Sequence, residues 1–210
     1  MVKFIDGIAM SAEYARRNNL KKLFDSQIET LKERNAPNEI VREFQSQKEQ
    51  VIGKASGMVI GKGNIPFIPI IKPIYLGYYG LMSMVKIGLK SGHASINPFL
   101  IEDRVETPDG FYYIYDVEDG KSARKKTAEG ENEFLKFLSR SPLVAAEVIN
   151  LCIITDVLSR HYMDAIGSQF CNSHNAPAVY RDDFGFPEFG WIYAYLPDDR
   201  FRSPSCGSRG

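Results

Sequence analysis

Net charge is the first thing this sequence lacks: its 210 residues carry 26 Lys+Arg and 26 Asp+Glu, a formal net charge of +0. A balanced chain has neither the basic footprint of a nucleic-acid binder nor the acidic bias of a solvating tail. No nucleic-acid partner is expected. Cysteine is scarce as well. Cys152, Cys171 and Cys206 are odd in number and irregular in spacing, so they set out no disulfide framework, and no Asn-x-Ser/Thr acceptor occurs. With Asp6 following Lys3 before any apolar run of signal length, these features predict a cytoplasmic location. Histidine is limited to His93, His161 and His174, which leaves few side chains that titrate near neutral pH. A clean membrane span is also missing. The most apolar stretch, Ile65 to Leu89, contains Pro66, Pro69 and Pro73, and it would place Lys72 and Lys86 in hydrocarbon at about 2.5 kcal/mol or more each. It reads instead as extended, buried structure, and no membrane partner is expected.

What is present is periodic. Leu20, Leu23, Phe24, Ile28 and Leu31 recur at three- and four-residue steps among charged residues, which predicts an amphipathic helix. Asn35-Ala-Pro37 interrupts it. A second helix follows, with Ile40, Val41, Phe44 and Val51 on one side and Pro37 in its first turn. After Gly53 the texture becomes β. Met58 to Ile60 and Ile65 to Ile71 read as strands, the second at a sheet edge because of its prolines. Leu81 to Leu89 leans towards a short helix. Pro108-Asp-Gly110 turns the chain into Phe111 to Val117, apolar or aromatic on both faces and therefore a central strand. Glu131 to Leu138 is a short helix, and Leu143 to Leu158 is so apolar that it reads as a helix buried on most sides. Strands are expected at Ala165 to Phe170, Ala176 to Arg181 and Glu188 to Leu196. In the last, Phe189, Trp191, Tyr193 and Tyr195 share a face opposite small and aliphatic residues, the pattern of a strand between layers. The predicted fold is α+β: a helical hairpin over residues 1–54 packed on a core over 55–210, with a predominantly antiparallel sheet and a buried helix near residues 143–158, in one domain.

Several short motifs occur in order along the chain: Phe24-Asp-Ser-Gln27, Pro66-Phe67, Val85 with Gly88, Lys90 and Gly92, Pro108-Asp-Gly110 before Asp116-Val117, and Ser141-Pro-Leu143 with Glu147. The last third adds Gly167-Ser168, Ala176-Pro-Ala178, Gly190-Trp191 with Tyr193, and Ser203-Pro-Ser-Cys-Gly-Ser-Arg209. Together they resemble a bacterial family known as domain of unknown function 5701. The resemblance spans nearly the whole chain. It implies that the tail through Arg209 belongs to the domain, and it carries no established activity. The chain departs from the family pattern at Val144, where a Thr would cap the apolar helix. Ser141 is the expected substitute cap.

None of the candidate sites fixes a chemistry. Asp116, Glu118 and Asp119 crowd one turn, as in a cation or general-base site, but the ligand spacing of a calcium loop is absent and a solvated strand end explains them as well. Gly120-Lys121-Ser122 ends like a phosphate loop, yet Tyr115 stands where the first glycine belongs, so nucleotide hydrolysis is excluded. Lys121, Arg124, Lys125 and Lys126 form a modest basic patch. Cys171-x-x-His174 offers half a zinc site without the other half; no metal and no cofactor are expected. Cys206, Cys171 and His174 are the residues a thiol-dependent transferase or hydrolase would use. The fuller constellation is terminal. Ser205, Arg209 and the small residues between Ser203 and Arg209 can turn backbone N–H groups and a guanidinium towards an anion, with Trp191 and Tyr193 as a stacking floor. A plainer reading has Arg209 anchoring the chain end to a carboxylate and the aromatics in the core. The sequence therefore favours a non-catalytic module that binds an anionic small ligand or a partner protein, with the thiol enzyme as its alternative and the oligomeric state open.

Overall fold

The computed structural model describes residues 2–121, 127–171, 175–195 and 199–210, with the side chains of 2–14, 128 and 129 excepted. It is an α+β fold with its helices leading. Helix α1 (Val2–Glu33) buries Leu20, Phe24, Ile28 and Leu31, the predicted stripe. It ends where Asn35 turns left-handed (φ 62°) and the Ala36 N–H bonds back to the Leu31 carbonyl at 2.9 Å, a conformation asparagine tolerates. The expected partner helix is broken at Gln47 into α2 (Asn38–Ser46) and α3 (Lys48–Gly57), both packed on α1, with Pro37 at the N-cap of α2. Met58 to Ile60 is not a strand. The Arg16 guanidinium donates to the Ala55 carbonyl (3.1 Å) and the Met58 carbonyl, tying α1 to the end of α3.

Strand β1 (Ile65–Ile70) lies at a sheet edge, as its prolines require, and buried Gln27 of α1 donates to the Phe67 carbonyl at 2.7 Å. The reading of Ile65 to Leu89 as extended is overturned at residues 73–84, the expected helix from Leu81 holding only to Met84. Pro73 opens α4 (Pro73–Met84) at the one helical position where a missing N–H costs nothing, and Gly77 at φ 65° kinks it. Short strands β2 (Lys86–Ile87), β3 (Lys90–Ser91), β4 (His93–Ala94) and β5 (Ile101–Asp103) lead to β6 (Tyr112–Val117). After α5 (Ala128–Phe137) and β7 (Ser141–Pro142) comes α6 (Ala145–Ile154), then β8 (Tyr162–Asp164), β9 (Ser168–Phe170), β10 (Asn175–Arg181) and β11 (Pro187–Tyr193). Strands β12 (Phe201–Arg202), β13 (Ser205–Cys206) and β14 (Ser208–Arg209) close the order. Ala165 to Phe170 is thus not one strand. A turn separates β8 from β9, and Gly167 sits so close to the chain entering α6 that a Cβ there would lie 2.7 Å from the Leu143 carbonyl oxygen.

Pairing is predominantly antiparallel; β4 with β11 and β8 with β12 are the parallel exceptions. A three-stranded sheet runs β1-β6-β14, so β6 is central as its two apolar faces predicted, and Arg209 pairs with Ile114 in it. The rings of Phe24, Phe44 and Phe67 surround Tyr113 at 6.1, 5.5 and 6.0 Å. The larger sheet is organised on β10, which pairs along its length with β11 and on its other side with β8 and β9. Helix α6 packs against α1, α4, β1, β8 and β10, which explains why Ala145 through Ile153 are all buried. Two polar side chains go in with it. Asn150 accepts from the Ile71 N–H (3.1 Å) and donates to the Ile71 and Ala146 carbonyls (3.0 and 2.8 Å), satisfying backbone just past the end of β1. Glu147 meets the C-terminus, as described below. Among the described residues no helix is long and apolar enough to cross a membrane.

Candidate functional site

The C-terminal loop is held from two sides. Arg209 sets Nε and Nη2 on the two oxygens of Glu147, each at 2.7 Å, and donates further to Ser141 Oγ (2.6 Å) and the Pro142 carbonyl (2.8 Å). Glu147 is 0% exposed and also accepts from the Tyr112 hydroxyl and the Val144 N–H, both at 3.0 Å. The guanidinium expected to face an anion therefore faces a buried carboxylate of the protein itself. Burial works against the Arg209 charge, but Glu147 outweighs it and holds the guanidinium above its ordinary pKa. Ser141 does not cap α6: its hydroxyl accepts from Arg209, and the first-turn N–H of Ala145 is taken instead by Ser168 Oγ at 2.8 Å. Ser205 is buried and claimed by Arg140, which donates to its hydroxyl (2.8 Å) and its carbonyl (3.2 Å).

Arg140 joins that loop to the acidic turn. It donates to Asp116 Oδ2 at 2.6 Å, while Asp116 Oδ1 accepts from the Gly61 N–H and the Asn64 amide, both at 2.7 Å. Burial alone would raise the Asp116 carboxyl; these bonds hold it below the usual carboxylate range. Asp119 instead pairs with Arg160 (2.9 Å) and Lys121 (3.3 Å), and Glu118 accepts from the Gly120 N–H (3.0 Å). The three acids of the turn thus point to different partners and do not converge. Of the patch that follows, residues 122–126 lie outside the described residues.

Cys206 is 0% exposed, and burial pushes its thiol up to about 12, which keeps it protonated at neutral pH. Cys152 is buried and raised by the same cause. Cys171 is exposed; its expected partner His174 lies outside the described residues. His161 bonds to the Asp119 carbonyl at 2.8 Å rather than to a thiol.

Beside the loop lies a cleft of about 650 Å³ that includes Gly207 in its wall. Arg104, Lys136 and Arg140 line it with Asn132, Ser139 and Ser141, and among the described residues no carboxylate does. Arg104 follows β5 and leans on the side-chain oxygen of Gln169 (Nε at 2.9 Å). Lys136 stands in the last turn of α5. There the chain reverses through Ser139, left-handed at φ 54°, with the Arg140 N–H bonded to the Leu135 carbonyl at 2.9 Å. Arg140 is neutralised by Asp116, whereas Arg104 and Lys136 make no ion pair among the described residues.

Trp191 and Tyr193 lie elsewhere. The aromatic face of β11 is core only where it begins: Phe189 is buried and stacks on Tyr78 at 5.2 Å, but Trp191 is 38% and Tyr193 47% exposed. They line a second groove, of about 740 Å³, with Tyr162, Tyr180 and Phe201, and among the described residues it shares no lining residue with the basic cleft. The sequence expectation of one site uniting the C-terminal loop with the aromatic strand is therefore not met. Sequence reasoning missed Arg104, Lys136, Arg140 and Ser139, which come from four separate positions between β5 and β7. No local motif marks them.

No protein-family model, curated protein or solved structure matches the chain. The resemblance to the bacterial family of unknown function rests on its sequence motifs alone.

Proposed function

We propose that this chain is a non-catalytic binding protein, one domain working in the cytoplasm, whose ligand is a small anion seated in the cleft of Arg104, Lys136 and Arg140. One observation carries the reading: among the described residues, three cationic side chains line one cleft with hydroxyl and amide donors and no carboxylate. Arg104 and Lys136 supply charge that no acidic side chain among the described residues cancels, and a phosphate or carboxylate accepts readily from an arginine fork and a neighbouring ammonium. Ser141 supports the same reading, because its oxygen accepts from Arg209 and its own proton is left to donate. The cleft flanks the loop of the motif Ser203 to Arg209, so membership of the bacterial family of unknown function, which we propose on those motifs, would place this site beside its signature. Three free thiols support a reducing compartment. The thiol-enzyme alternative gains nothing from the buried Cys206.

The test is a thermal-shift panel of inorganic phosphate, phosphate monoesters and di- and tricarboxylates. A ligand at about 100 times its Kd adds about 2.7 kcal/mol, which raises Tm by roughly 5–10 °C in a chain of this size. The shift is expected to vanish in the Arg104→Ala, Lys136→Ala double variant, whose own Tm stays near that of the parent because both residues are exposed. No shift across the panel, or a shift the double variant retains, overturns the proposal.

A further inference from the structure

The hairpin between β10 and β11 builds a second polar cluster, at the wall of the aromatic groove. Parallel pairing of β4 with β11 sets His93 opposite Glu188. The reversal after β10 brings Asp182 to the same place, with Gly185 at φ 78° allowing the tight turn. One imidazole nitrogen and one oxygen from each carboxylate lie within 4.8 Å of one another. Among the described residues neither carboxylate makes an ion pair, so two negative groups share this spot without a protein cation between them. Lys90, the cation beside the turn, is held by the Phe184 carbonyl (2.5 Å) and lies over the Phe186 ring at 5.0 Å.

Each carboxylate is also oriented by neighbours. Asp182 Oδ1 accepts from the Phe184 and Phe186 N–H groups at 2.9 and 2.8 Å. Glu188 Oε1 accepts from Ser95 Oγ at 2.5 Å, and the Tyr180 hydroxyl bonds to Glu188 as well. Such outer partners fix the direction of metal ligands and leave the remaining lone pairs to a cation. From this geometry we propose that His93, Asp182 and Glu188 bind one divalent cation of the zinc and manganese class, to which a mixed nitrogen and carboxylate set is suited. Bonds of about 2.1 Å place tetrahedral neighbours about 3.4 Å apart, so the three atoms close by no more than about 1.4 Å, a movement open to the exposed His93 ring. Three protein ligands leave the cation at least one position for water or for a group entering the groove. The site is independent of the basic cleft.

The test titrates Zn2+ and Mn2+ separately into metal-free protein by calorimetry, with Mn2+ also followed by its electron paramagnetic resonance signal. Manganese discriminates against thiols, and Cys171→Ser removes the exposed one. One equivalent of each metal is expected to bind, unchanged in Cys171→Ser and weakened at least about 10-fold in His93→Ala. Asp182→Asn is the second variant: its amide oxygen still accepts from Phe184 and Phe186, so the hairpin is kept while the charge is lost, and the same weakening is expected. Absence of binding, binding abolished by Cys171→Ser, or affinity unaltered in both His93→Ala and Asp182→Asn overturns the assignment.

Discussion

Removing Arg209 should cost far more than the loss of a terminal residue ordinarily would. Arg209→Ala strips the buried Glu147 carboxylate of both charge-assisted bonds and leaves it with the Tyr112 hydroxyl and the Val144 N–H; Ser141 Oγ and the Pro142 carbonyl lose their donor too. An uncompensated buried charge of this kind costs about 3–5 kcal/mol. With a urea m-value of about 2 kcal/mol/M, the unfolding midpoint falls by roughly 2 M. Far-UV circular dichroism is the assay, with the emission of Trp191, the single tryptophan, as a second probe. Adding Glu147→Gln to Arg209→Ala removes the stranded charge, so the double variant should be more stable than the sum of the single effects by about 2 kcal/mol. Arg209→Lys keeps the charge without the planar fork and should fall between parent and Arg209→Ala. A midpoint shift below about 0.5 M, or strict additivity in the cycle, would refute the reasoning that Glu147 and Arg209 form one buried unit.

Other perturbations probe the polar groups inside. Asp164 is buried, and burial, with Glu131 nearby, raises its carboxyl to about 6 although Ser203 donates to it. The folded state then binds the proton more tightly than the unfolded chain, so this group's contribution is most favourable below about pH 4 and is lost as pH rises through about 6. Asp164→Asn should therefore stabilise the protein at pH 7 by about 3 kcal/mol and not at pH 3.5, read from urea midpoints at the two values. Asp116 has the opposite sign: its depressed carboxyl contributes above about pH 4, and the contribution fades as pH falls through its folded pKa. Asn150→Ala leaves the Ile71 N–H and carbonyl unpaired in the core and should cost about 2–4 kcal/mol in the same denaturation assay.

Much of the architecture was legible because it is periodic. The stripe from Leu20 to Leu31, the two apolar faces of Phe111 to Val117 and the unbroken apolar run after Leu143 each declare a local geometry that burial then enforces. Pro73 misled because a proline reads as a breaker in the interior of an element but is tolerated at a helix start, and only the three-dimensional fold decides which it is. The aromatic alternation from Phe189 to Tyr195 correctly separates the strand's faces yet does not say how far along the strand a cover extends. Here that cover reaches Phe189, through Tyr78, and leaves Trp191 and Tyr193 open. The sites were least legible. Arg209 and Glu147 are 62 residues apart, Arg140 and Ser205 are 65, and His93 meets Glu188 only through a pairing of distant strands. Such encounters are tertiary facts. Spacing along the chain holds no trace of them, whereas the anchoring role of Arg209 was at least one of the readings its charge allowed.

Anion binding in the basic cleft is the central claim, and amide chemical-shift mapping with inorganic phosphate tests it most directly. The account predicts saturable shifts concentrated at Ser139, Arg140, Ser141 and Gly207, lost in the Arg104→Ala, Lys136→Ala variant. Shifts confined to the groove of Trp191 and Tyr193, shifts that persist in that variant, or none up to tens of millimolar phosphate, a regime where Kd corresponds to only about 2–3 kcal/mol, would contradict it.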